Sequence, residues 1–331
     1  MKIHENWNST YPDALNHYWK FSKLSDDDKK NALFFGWAVM ENIDSYLSSI
    51  KEYENRIYFN NEQPCVLQTR DKHLISLSTD SNKIFNKVYN QCPYTAEWIN
   101  SLENDDRFRC IFTPFNKDYI IDKQEEKVND VLYWGGLHAL DHKDILDTIR
   151  NFDYNFLTLG AGSWNLWWGR ESSLPPISNY TSLITYQNLQ RPFMWQLLRR
   201  TKVNVMTNLL YTDNKINDNI RANEYWENNE AFAHLDQYIM PQLKSRPIES
   251  AVNRCLMVVK KDPWNIQELF FEPDKDFIYY NDKKELQHIL EDVKINWKNY
   301  EPIVENAFNK ATKDYTVKNF LNSIERSLDD E

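Results

Sequence analysis

Short apolar runs separated by longer polar stretches of helical character set the rhythm of this chain in both halves. To about residue 125, Ala32 to Val39 (ALFFGWAV), Arg56 to Asn60 (RIYFN), Lys87 to Asn90 and Phe108 to Phe112 read as strands, with Asn42 to Glu54 and Thr95 to Leu102 as helices. After a polar, charged stretch from Asp122 to Asp130 the rhythm resumes. Val131 to Trp134 reads as a strand running into Gly135-Gly136, His142 to Phe152 as a helix, and Tyr154 to Leu159 as a strand ending at Gly160-Ala161-Gly162. Arg191 to Lys202 then predicts a helix, Val203 to Leu210 a strand, and Glu224 to His234 a helix leading into Gln237 to Met240. A short helix opening on Pro247 precedes the continuous apolar run Cys255 to Val259, a polar turn and a strand over Phe277 to Tyr280. Three closing helices follow, over Lys283 to Val293, Pro302 to Thr312 and Val317 to Leu328. Strand alternating with helix predicts parallel sheets and an α/β class.

Length divides this pattern in two. At 331 residues and 39.8 kDa the chain exceeds the usual size of a single core. The charged stretch is the natural linker, giving an N-terminal α/β domain over 1–126 and a second over 127–312, with 313–331 as a helix returning to the first. Five of the six glycines lie between residues 135 and 169, so backbone freedom is concentrated early in the second domain. A mean hydropathy of -0.72 and the lack of a long apolar span argue against a membrane span. The opening MKIHENWNSTYPD has no apolar centre of a secretory signal, so a cytoplasmic location is expected. The net charge of -10 disfavours a general nucleic-acid binder. Cys65, Cys92, Cys110 and Cys255 form no C-x-x-C pair and read as reduced thiols.

Chemistry concentrates between Lys244 and Tyr280. Lys244 and Arg246 precede Pro247 at a helix start, where unpaired N–H groups and partial positive charge favour an anion. Glu249, two residues inside, is placed to accept hydrogen bonds from vicinal hydroxyls on whatever carries that anion. A solvated helix start with a dipole-compensating glutamate is the competing reading.

These residues carry a family resemblance. RPIESAVNRCLMVV, then DPWNIQELFFEPDKDFIYYNDKKELQHIL and ENAFNKATKDYTVKNFLNSI, are similar to the C-terminal donor domain of GT-B glycosyltransferases, in the branch with a group-1-like, CgeB-like C-terminal region. VLYWGG, Val131 to Gly136, resembles the first strand and glycine turn of that domain. The resemblance covers residues 127 to 328 and implies two Rossmann-like domains facing a cleft. It implies a nucleotide-sugar donor, with Glu249 on the ribose, Lys244 and Arg246 on the pyrophosphate, and Gly135 and Gly136 near the phosphates. It implies transfer to a glycan, lipid or protein acceptor with no cofactor and no metal required. One position departs from the pattern: eight residues before Glu249, where many retaining members carry a carboxylate, stands Pro241. A non-catalytic nucleotide- or sugar-binding protein, or a sugar-nucleotide epimerase or hydrolase, fits the same scaffold.

Other positions each have two readings. His138, two residues beyond Gly136 where strand meets helix, is placed to bond a phosphate or stabilise a leaving group, or else to serve in a loop. Glu62, after the Arg56 to Asn60 strand, is a candidate general base or a turn residue fixed by Pro64. Tyr94 and Trp164 present faces on which a sugar stacks, or pack internally. Asp274-Lys275-Asp276 matches a metal-binding D-x-D in form, yet it precedes its strand and reads as a turn.

Overall fold

The structure is a computed structural model that describes residues 2–7, 32–37, 55–60, 83, 85–94, 96–97, 100, 106–115, 120–134, 145, 147–149, 156–159, 185–186, 191–212 and 238–329. The chain forms two compact units. The first comprises Met1–Asn116, Thr212–Lys244 and Phe320–Glu331, and the second Lys117–Tyr211 and Ser245–Asn319. Neither is a contiguous stretch, because Thr212–Lys244 groups with the N-terminal strands. The predicted helices over Asn42 to Glu54 and Glu224 to His234 lie outside the described residues. Among the described residues no helix is long and apolar enough to cross a membrane.

In the first unit, β1 (Lys2–Trp7), β2 (Ala32–Trp37), β3 (Asn55–Asn60), β4 (Lys87–Asn90) and β5 (Phe108–Cys110) form one parallel sheet in chain order. β1 was not evident in the sequence, since KIHENW interleaves charged and polar residues with only two apolar ones. Right-handed connections between neighbours in chain order pass over one face of such a sheet, so the other needs cover from elsewhere. Register puts Ile57 beside Lys87 and Phe59 beside Tyr89, on one face. That face meets the C-terminal helix α5 (Val317–Asp329 in chain order; α1 to α4 are given below). The buried Phe320 ring packs edge-on against Phe59 at 5.8 Å and Phe112 at 5.9 Å. Further along, the Lys87 ammonium donates to the Ser327 carbonyl, and the Tyr89 and Ser327 hydroxyls hydrogen-bond each other.

The second unit carries β6 (Asn129–Trp134), β7 (Phe156–Leu159), β8 (Thr185–Tyr186), α1 (Arg191–Arg199) and β9 (Thr201–Met206). The strands β10 (Leu209–Thr212) and β11 (Tyr238–Pro241) intervene before α2 (Arg246–Val252), β12 (Leu256–Lys260), β13 (Ile278–Tyr280), α3 (Lys283–Ile295) and α4 (Glu301–Asp314). Its sheet is parallel throughout, in the order β13-β12-β9-β6-β7-β8. Two boundaries differ from the sequence pattern. The predicted helix to Lys202 stops at Arg199, where the Thr201 hydroxyl donates to the Leu197 carbonyl and β-branched Thr201 starts a strand. The predicted strand to Leu210 breaks after Met206, because the Thr207 hydroxyl accepts from the Leu209 N–H and forms a turn.

Alternation sorts the strand side chains. Val131, Tyr133, Val203, Val205, Leu256 and Val258 form one buried cluster with Leu286, Leu290 and Val293 of α3. Asn204, of the other parity, donates from Nδ2 to the Ser250 hydroxyl of α2 at 2.8 Å, so α2 covers the opposite face. α3 opens on Asp282, whose carboxylate accepts from the Glu285 N–H, a side-chain cap at the helix start.

At the amino end of the sheet, Lys127 bonds two helix ends at once. Its ammonium donates at 2.7 Å to the carbonyl of Arg199, the last residue of α1, which the helix end leaves without an intrahelical partner, and at 2.6 Å to the carbonyl of Arg254, two residues past α2. Burial lowers the Lys127 pKa to about 8, partly offset by Cys255 and the carboxylates of Glu125 and Glu305.

Two predictions follow from this packing. Phe320→Ala removes the ring that closes the exposed face of the first sheet and is expected to destabilise that unit by about 3 to 5 kcal/mol, read as an earlier denaturant unfolding midpoint. For Lys127, the folded state holds the proton less tightly than the unfolded chain does between pH 8 and the ordinary lysine range. Wild-type stability relative to Lys127→Met is therefore expected to rise across that window by about 1 to 3 kcal/mol, the comparison cancelling the titration of groups that Lys127 does not touch. A difference that is flat or falls with pH contradicts it.

Candidate functional site

The strand order of the second unit locates its site. From β6 the chain adds β7 and β8 on one side, then β9, β12 and β13 on the other, so the order reverses between β6 and β9. In open parallel sheets a crevice forms outside the carboxyl ends of the strands at such a reversal, because the flanking connections leave in opposite directions.

α2 brings the sequence-predicted donor residues towards that edge. Its C-terminal end runs through Arg254 into β12 at the amino edge, so its start points the other way. Seven residues give a length of about 10 Å, and the field at its start is correspondingly modest. The Ser245 side chain caps no helix N–H; its hydroxyl instead donates to Glu249 Oε2 at 2.9 Å. Glu249 is 4% exposed, so this bond fixes a buried carboxylate in one orientation. The helix is tied to the sheet through Asn204 and Ser250, whose hydroxyl donates in turn to the Arg246 carbonyl at 2.7 Å. Arg246 lies within electrostatic reach of Tyr133 on the central strand: burial pushes that phenol up, and the Arg246 charge draws it back. Tyr133 is the last residue but one of β6, so Arg246 lies towards the switch-point end of that strand.

Sequence reasoning missed the polar groups at the ends of β9 and β12. Asn208, just past β9, donates from Nδ2 to Gln267 Oε1 at 3.0 Å, and Gln267 Nε2 reaches the Met257 sulphur at 3.6 Å. Both amides are buried and clamp the connection after β12 to the end of β9. Asp262, two residues past β12, accepts at Oδ1 from the N–H groups of Trp264 at 3.0 Å and Ile266 at 3.1 Å. Its Oδ2 has no hydrogen-bond partner among the described residues. Burial raises its pKa, and the backbone donors and Lys261 oppose that. The available signal was a polar residue directly after an apolar strand, as in VNVM-TN and LMVVK-KD.

The remaining candidates divide by position. Lys244 is half-buried and directly precedes Ser245, where the chain passes between units. Tyr94 belongs to the first unit and is half-buried in a helical turn after β4. Gly135, Gly136, His138, Glu62 and Trp164 lie outside the described residues. Asp274-Lys275-Asp276 forms a turn: Asp274 has a φ of 61°, and the Asp276 carboxylate accepts from the Glu272 N–H at 2.9 Å and from Lys310 at 3.4 Å. Among the described residues no group of three or more His, Cys, Asp or Glu is placed to hold a metal ion.

Comparison with known proteins places this arrangement. A profile described as glycosyl transferase-like matches residues 142–326, more than half of the chain. No curated protein matches significantly by sequence. Among solved structures, HepE of Anabaena in complex with UDP-glucose superposes with a TM-score of 0.62 at 9% identity, over 100% of both chains. Sucrose-phosphate synthase of Thermosynechococcus elongatus gives 0.58 at 8% identity, over 89% of this chain and 73% of that one. TarM gives 0.57 at 9% identity over 90% of this chain, which spans 55% of TarM's length. The chain belongs to the glycosyl transferase-like family and has the parallel-sheet α/β fold of GT-B glycosyltransferases.

Proposed function

We propose that this protein is a glycosyltransferase that moves a sugar from a nucleotide-sugar donor to a hydroxyl of a glycan, lipid or protein acceptor. The observation that carries the reading is Arg246 and Glu249 on one turn of α2, tied to the switch-point strands of a sheet whose family is glycosyl transferase-like. HepE, with the same fold, is solved with UDP and with UDP-glucose, which supports a uridine or related nucleotide as donor carrier.

In this reading the donor diphosphate meets the cations of Arg246 and Lys244 and the backbone at Gly135 and Gly136. Charge-assisted bonds there strengthen as the leaving diphosphate gains charge, so they favour the transition state over the bound donor. Glu249, held by Ser245, accepts from the ribose hydroxyls and sets the register of the nucleotide. The acceptor oxygen forms its bond to the anomeric carbon as the bond from that carbon to the diphosphate oxygen breaks, the electron pair leaving with the nucleoside diphosphate. Glu62 takes the acceptor proton, and His138 hydrogen-bonds the leaving group. Trp164 and Tyr94 stack on sugar faces. The protein cations do the neutralising, and no metal is required for the transfer.

Glu249→Ala is expected to weaken UDP binding by about 1.5 to 3 kcal/mol, roughly 10- to 150-fold, with the fold retained by circular dichroism. Unchanged affinity in a folded variant removes Glu249 from the site. UDP release from UDP-glucose, measured with a panel of glycan acceptors, is expected to proceed unchanged after EDTA treatment. Loss of that release on chelation, restored by Mg²⁺ or Mn²⁺, overturns the metal-independent reading.

A further inference from the structure

One buried carboxyl group sets the path of the connection after β12. Asp262, only 2% exposed, takes the N–H groups of Trp264 at 3.0 Å and Ile266 at 3.1 Å on the same oxygen, Oδ1. Those bonds close a turn in which Asn265 has a φ of 53°, in the left-handed region, and the short helix Ile266–Leu269 starts from that turn. Gln267 of this helix then bonds Asn208, just past β9, at 3.0 Å. The segment that borders the strand-order reversal therefore depends on Asp262 at its root.

The two oxygens of that carboxyl group have unequal surroundings. Oδ2 is closed to solvent and has no hydrogen-bond partner among the described residues. Ionisation spreads charge over both oxygens, so the closed segment leaves charge on an oxygen with neither donor nor water, which the neutral acid avoids. Burial accordingly raises the Asp262 pKa, against the N–H groups of Ile266, Trp264 and Asn265 and the Lys261 cation. Among the described residues, Lys261 of the same segment and Tyr279 of β13 face Asp262 electrostatically, with Glu268 against both. The Lys261 ammonium lies 3.0 Å from the Glu268 carboxylate and 4.0 Å from the centre of the Tyr279 ring, so its charge is shared with them. Burial, then the charges of Asp262 and Glu268, push the Tyr279 phenol up, and it stays neutral through the acid range.

We propose that the segment from Lys261 to Phe271 is a pH-sensitive latch: with Asp262 protonated it lies closed against the ends of β9 and β12, and ionisation of Asp262 opens it so that water reaches Oδ2. The closed form binds the proton more tightly than the open form does. Its stability is complete below the ordinary aspartate range and is lost as pH rises through the raised value. An effect on donor binding rests on the glycosyltransferase reading above; the latch does not. The test is hydrogen–deuterium exchange of the full chain from about pH 4 to about pH 8, read by mass spectrometry on a peptide covering the segment, with a peptide from α4 as reference. In the wild type the ratio of the two exchange rates is expected to rise by up to about ten-fold per pH unit within the window. Asp262→Asn, which keeps the Oδ1 acceptor and cannot ionise, is expected to hold the ratio flat, while Glu268→Gln keeps the rise. A flat ratio in the wild type overturns the latch whether or not Asp262→Asn folds, and so does a rise that persists in Asp262→Asn or vanishes in Glu268→Gln. UDP affinity over the same pH range is expected to fall in the wild type and stay level in Asp262→Asn. If the latch opens while UDP affinity stays level, the latch stands and its link to the donor falls; if UDP binds at no pH, the donor reading falls alone.

Discussion

Every strand pair in the two larger sheets is parallel, and the rest of the molecule follows from that constraint. Parallel neighbours cannot be joined by a tight turn, so the chain crosses over between each pair, and the handedness of the crossing is fixed. In the first unit the strands lie in chain order, and one face is left for a distant segment to cover. The last helix does this, through Phe320 against Phe59 and through Ser327 against Lys87 and Tyr89. In the second unit the order reverses between β6 and β9, which covers both faces and opens the carboxyl edge at the reversal. One rule of connection thus gives one sheet its dependence on the chain's end and the other its open carboxyl edge at the reversal.

Much of this was legible in the sequence where burial was one-sided or complete. LMVVK, RIYFN and FIYY are apolar enough to identify strands alone, and the α3 and α4 periodicities carried their helices. β1 was not legible, because KIHENW has the composition of a loop and becomes a strand only through its pairing with ALFFGW. The grouping of Thr212–Lys244 with the N-terminal strands was equally hidden. Chain adjacency is the only guide a sequence offers, and a segment that leaves a unit and returns gives no compositional sign. Arg246 and Glu249 stood out as candidates by type and spacing, and both lie on α2. Asn208, Gln267 and Asp262 were not, since an amide or a carboxylate in a polar loop looks the same whether it is solvated or buried.

The burial of those polar groups bears on how the site keeps its shape. Asn204, wholly buried on β9, bonds Ser250, and Ser250 bonds the Arg246 carbonyl one turn back. Ser245, at the head of the same helix, bonds the Glu249 carboxylate. An apolar contact would hold α2 to the sheet as firmly but would let it slide or rotate by fractions of a turn. The directed bond from Asn204 to Ser250 opposes both movements, and an interior of low dielectric makes a broken bond costly. The Asn208 and Gln267 amides do the same for the connection after β12. A helix of seven residues has little end field of its own. The placement of its side chains comes instead from the buried bond of Ser250 to Asn204 on the strand beneath it.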